Sequence, residues 1–94
     1  MCRNQWINLS EKFTALHGEM LLLRTELQTL TETLERDMVE SENSYIESLL
    51  DKDKYLIYKQ KADRWEIADE ASDTIEEACD CVEDVVTNLE LLLQ

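Results

Sequence analysis

No proline occurs in the 94 residues, and Gly18 is the only glycine. Folds made of many short strands need both residue types at their corners, so an all-β architecture is excluded. Long apolar runs are missing too. The longest are Met20-Leu21-Leu22-Leu23 and Leu91-Leu92-Leu93, far below the about 20 residues of a membrane-spanning helix. The start, Met1-Cys2-Arg3-Asn4-Gln5, leads into no apolar signal core. Three cysteines, an odd number without a signal, point to reduced thiols and a cytoplasmic setting. Asn8-Leu9-Ser10 matches a glycosylation sequon, which has meaning only in a secreted chain and is discounted here.

Basic residues are missing from the last third. Residues 66–94 hold ten acidic side chains and no Lys or Arg, whereas residues 1–65 hold 12 acidic and 9 basic ones. The formal net charge is −13. Such a field repels nucleic acid and anionic membrane and attracts basic proteins. A basic protein partner is therefore expected, with no direct nucleic-acid or membrane binding.

What is present is a heptad pattern. Trp6, Phe13, Met20, Leu27 and Leu34 recur every seven residues, and Leu9, Leu16, Leu23 and Leu30 do the same three places later. This is the a/d pattern of a left-handed coiled-coil seam and predicts a helix over about 5–40. Ile7, Leu21 and Leu22 lie off that seam, so contact on a second side is expected, as in a bundle. Ser41-Glu42-Asn43-Ser44 interrupts the pattern, and Ser44 with Glu47 matches a capping box. A turn over about 41–44 and a second helix over about 45–93 follow. Tyr45, Ile46, Leu49, Leu50, Leu56 and Ile57 open this helix with an apolar face. Residues 59–64 offer little to bury, and Asp63 with Glu66 again resembles a cap, but the absence of Gly and Pro favours an unbroken helix. The heptad then returns as Ala68, Ile75, Val82 and Leu89 beside Ala71, Ala78, Val85 and Leu92, widened by Trp65, Cys79, Val86 and Leu93.

The expected fold is all-α, a single helical domain over residues 1–94. It is an antiparallel hairpin, or a three-helix bundle if the chain breaks near 59–64. A core of this size is marginal, so dimerisation or assembly with another chain is expected. Closing the hairpin at 42–43 would set residue 63 opposite about 22 and 78 opposite about 7, leaving residues beyond about 85 to overhang. The expected oligomer seam comprises Trp6, Leu9, Phe13, Leu16, Met20, Leu23, Leu27, Leu30, Leu34, Ile75, Val82, Val85, Leu89 and Leu92.

The candidate partner-binding surface is the acidic series Glu66, Asp69, Glu70, Asp73, Glu76, Glu77, Asp80, Glu83 and Asp84. Solvated coiled-coil faces normally intersperse Lys or Arg to form i,i+4 pairs, and here there are none. The bland reading is a solubilising face. The functional reading is a docking surface for a basic protein, and a narrower version imitates the phosphate rows of DNA or RNA to inhibit a nucleic-acid-binding or nuclease system. A third class is an enzyme. Glu66-Ile67-Ala68-Asp69 is similar to the E-x-x-D half of the Mg²⁺ site of all-α nucleotide pyrophosphohydrolases, but no E-E-x-x-E lies on a preceding helix and the carboxylates point away from the seam. That reading is the weakest of the three.

Other constellations carry less. Asp51-Lys52-Asp53-Lys54-Tyr55 begins like a calcium loop but has Leu56 and Ala62 where the loop needs Gly and Glu. Cys79 and Cys81 point to different helix faces, so they cannot chelate one metal together. Cys79 is expected inside and Cys81 at an interface edge. His17 is expected beside the seam, without a catalytic partner. Trp6 and Trp65 read as core or interface anchors, and Tyr55 with Tyr58 as core or a partner hot spot. No cofactor, metal or catalytic residue is expected.

Overall fold

The computed structural model describes residues 3–94. Two long helices, α1 (Arg3–Glu47) and α2 (Lys52–Leu93), run antiparallel as a hairpin. With 45 and 42 residues they nearly match in length. α2 is unbroken through residues 59–64, so the three-helix alternative falls away.

The turn lies at residues 48–51, not 41–44. Ser44 sits within α1, and its apparent capping box is ordinary helix. The reversal is made by a Schellman closure, in which the Leu50 amide donates to the Tyr45 carbonyl at 3.3 Å and the Leu49 amide to the Ile46 carbonyl at 3.2 Å. Asp51 then caps α2: its Oδ1 accepts from the amides of Asp53 at 2.8 Å and Lys54 at 3.4 Å. Ser48 links the two ends, donating through Oγ to the Tyr45 carbonyl at 2.7 Å and accepting from the Asp51 amide at 3.2 Å. The sequence that begins like a calcium loop is thus a helix cap.

Leu49 and Leu50 both occupy the left-handed region, with φ of 60° and 69°. Glycine normally fills the first of these positions, because an L side chain there costs about 1–2 kcal/mol. Leu49 is 91% exposed, so its side chain recovers almost nothing by burial. Leu49→Gly should therefore stabilise the hairpin by about 1 kcal/mol, less a small entropic loss in the unfolded chain. Thermal unfolding followed by circular dichroism would read this as a higher midpoint, and a lower one would show that the turn is unstrained.

The chain divides into two compact units. One contains Glu26–Ser72, which is the turn and the helix segments flanking it. Here Thr31 Oγ1 lies 3.5 Å from the Ala68 carbonyl on the opposite helix, a closeness that only small residues allow. Thr31, Ser41 and Ser72 are buried. Tyr45 sits 5.3 Å from Tyr55 and 6.4 Å from Tyr58 between ring centres, closing the end next to the turn. Ile46, Leu49, Leu50, Leu56 and Ile57 are all exposed, so the apolar face expected over 45–57 is not interior.

The other unit joins residues up to Thr25 with Asp73–Gln94. The end of α2 therefore runs against the start of α1, and the overhang expected beyond residue 85 does not exist. It followed from placing the turn too early. Cys79, at 1% exposure, is the only large-to-medium side chain fully enclosed among the described residues. Ser10 is also buried in this unit, and Ile75, Val82, Val86, Leu89 and Leu93 are half-buried.

Candidate functional site

The seam of α1 is made of two rows. One is the expected row of Trp6, Phe13, Met20, Leu27 and Leu34, all half-buried. The other is Ser10, His17, Arg24, Thr31, Met38 and Tyr45, every one buried or half-buried. Leu9, Leu16, Leu23 and Leu30 are instead exposed, at 39%, 42%, 54% and 61%. The hairpin has used this mixed row, with small side chains at Ser10 and Thr31, for its own seam and left the leucines outside. Where Thr31 meets Ala68, small side chains let the backbones approach, which a leucine at position 31 would prevent.

α2 repeats this choice. Its inner rows are Ala68, Ile75, Val82 and Leu89 beside Trp65, Ser72, Cys79, Val86 and Leu93, all buried or half-buried. The second expected row lies at the edge, with Ala78 and Val85 half-buried and Ala71 and Leu92 exposed. Of the off-seam residues of α1, Ile7 and Leu21 are half-buried and Leu22 is 69% exposed.

The acidic series lies on α2. Glu66, Glu70, Asp73, Glu76, Glu77, Asp80, Glu83 and Asp84 are exposed, and Asp69 is half-buried next to Ala68. In the unit that holds residues 73–94, the carboxylates and the apolar edge fall on opposite sides. Asp80 follows the enclosed Cys79 by one residue and Glu83 follows it by four, which turns both to one flank. Ala78 precedes Cys79 by one residue, which turns it to the other. The series spreads along a helix surface and does not converge. Among the described residues, no group of three or more His, Cys, Asp or Glu side chains is placed to hold a metal ion.

Among the described residues, the buried nitrogens Arg24 Nε and Trp65 Nε1 have no protein hydrogen-bond partner. His17 belongs to the seam row rather than beside it, with Ser10 and Arg24 each one heptad away. Cys79 is enclosed and Cys81 exposed, both as free thiols, while Cys2 lies outside the described residues. A depression of about 360 Å³ is lined by Gln5, Asn8, Leu9 and Lys12, all from one helix surface, and it brings no reactive pair together. No helix among the described residues is long and apolar enough to cross a membrane.

Sequence reasoning missed the row of Ser10 and Thr31, and Ser41 as the continuation of the Trp6–Leu34 row. The available signal was the recurrence of small residues four places after Trp6 and Leu27 and seven after Leu34, at seam spacing. No family model, no curated protein and no solved structure matches the chain.

Proposed function

We propose that this chain is a small acidic protein-interaction module. It assembles through its uncovered apolar helix surface and docks a basic protein partner through the carboxylates of α2. One observation carries the docking half: eight of the nine carboxylates named above are solvent-exposed along a helix that has no Lys or Arg after residue 64. Like charges three or four residues apart destabilise a helix by some tenths of a kcal/mol per pair. A basic partner would turn that repulsion into attraction. The regular rise of the rows, about 5.4 Å per turn, also suits a partner whose cationic groups are spaced for a phosphate backbone, which is the nucleic-acid-mimic version of the reading.

Affinity capture from nuclease-treated lysate tests this. Elution should run from about 0.1 M to about 1 M salt, where the screening length falls from about 10 Å to about 3 Å. The expected result is a basic protein released early in the gradient. If added DNA also displaces it, the mimic version leads. Retention of the partner through the whole gradient would mean that apolar contact, not the acidic face, holds it.

A further inference from the structure

The unit of residues 3–25 and 73–94 has an apolar face of which Leu9, Leu16, Leu23 and Leu92 are exposed and Ala78 and Val85 half-buried. On α1 it shows Leu9, Leu16 and Leu23, each one residue before the seam positions Ser10, His17 and Arg24. On α2 it shows Ala78, Val85 and Leu92, each one residue before the seam positions Cys79, Val86 and Leu93. The step is the same on both helices. Because α2 both runs the opposite way and faces the opposite direction, the two reversals cancel, and both rows emerge on one side of the hairpin.

We infer that this face receives the same face of a second copy of the chain. The inference deepens the assembly half of the proposed function and rests on it. Four features point to a second copy. The first is charge. Residues 73–94 contain seven carboxylates, yet the α2 positions on this face are Ala78, Val85 and Leu92, flanked outward by Thr74, Cys81 and Asn88. None of the six carries charge, so two strongly acidic chains can meet here with their carboxylate rows turned away.

The second feature is self-complementary size. A two-fold axis lying in the interface and crossing the middle members, Leu16 and Val85, sets Leu9 against the partner's Leu23 and Ala78 against the partner's Leu92. Each end layer then holds three leucines and one alanine, and the middle layer two leucines and two valines, so the layers are nearly equal in volume. An isologous contact of this kind requires that a surface match its own reversed copy. The third is the flank of α1. The same axis brings Lys12 beside the partner's Glu19, and the symmetric pair forms on the other side.

The fourth is area. The face is about 33 Å long, from the helix rise over residues 3–25, and about 18 Å wide for two adjacent helices. Two such faces remove about 1,200 Å² from water, at the lower edge of specific, stable interfaces. The hairpin needs that burial. Its accessible surface is 7136 Å², against about 5,600 Å² for a compact monomer of 11.0 kDa.

Sedimentation equilibrium of the full chain and of Leu16→Glu tests this. The wild-type chain should weigh twice 11.0 kDa. Leu16 is 42% exposed in the single hairpin, so Leu16→Glu should keep its helical signal. It places two carboxylates together at the axis and should weaken the dimer by about 100-fold or more. A monomeric wild type, or a Leu16→Glu that still dimerises like the parent, overturns the inference. If Leu16→Glu loses its helical signal, Leu16→Cys decides. Mild oxidation should then link two chains through position 16, and failure to do so overturns the proposed axis and face. Neither outcome bears on the acidic docking surface, which the salt elution reads separately.

Discussion

Cys79→Asp should abolish the folded hairpin. Cys79 is 1% exposed and lies at the seam between the end of α2 and the start of α1. A carboxylate there would lose its hydration, and the nearest Lys or Arg on its own helix is Arg64, 15 residues away. Glu76, Asp80 and Glu83 lie within one turn and would add repulsion. An unpaired buried charge costs about 3–5 kcal/mol, which is much of the about 5–15 kcal/mol that holds a typical domain together. At about 4–8 °C per kcal/mol, the midpoint should fall by at least about 12 °C, or folding should fail outright. Leu89→Asp, at a half-buried seam position, should act in the same direction and less strongly. Leu23→Asp should not: Leu23 is 54% exposed, so the helical signal should survive while self-association is lost. Thermal melts of the three variants at two protein concentrations separate these outcomes. A Cys79→Asp variant that melts like the parent would mean that the seam is misplaced.

The second large effect concerns the acidic helix. Asp73→Lys, Glu76→Lys, Asp80→Lys and Glu83→Lys together change the formal charge of residues 66–94 from −10 to −2. All four positions are exposed, so the seam is untouched. A lysine at position 73 would fall one turn after Asp69, and one at position 80 would fall one turn before Asp84. Each favourable pair adds about 0.2–0.5 kcal/mol. The variant should therefore be as helical as the parent and slightly more stable, while its capture of a basic partner disappears. Circular dichroism and binding measured on the same sample read both. Undiminished binding by a folded variant would reduce the acidic face to a solubilising surface. The dimer should be indifferent to this change, since the face that forms it carries no charge on α2.

The heptad spacing of Trp6, Phe13, Met20, Leu27 and Leu34 and of Ala68, Ile75, Val82 and Leu89 was legible without coordinates, and with it the helices and the antiparallel pairing. The acidic series was legible for the same reason, since periodicity is a property of one helix. The sidedness of the leucine row was not. On α1 two rows flank Trp6 and Phe13, and hydrophobicity favours Leu9 and Leu16 over Ser10 and His17. Only the partner helix determines which row lies inside, as at Thr31, whose small side chain meets the Ala68 carbonyl of α2. The turn was hidden likewise. Ser41 and Ser44 look like a loop because they are polar, yet Ser41 is buried at the helix contact. Leu49 and Leu50 look helical or buried because they are apolar, yet they form the exposed reversal in left-handed backbone. By itself the sequence determined the helical period, the charge of each segment and the lack of glycine and proline breaks. Tertiary structure alone decided the register of the hairpin, and with it which apolar row was consumed in folding and which remained for a second chain.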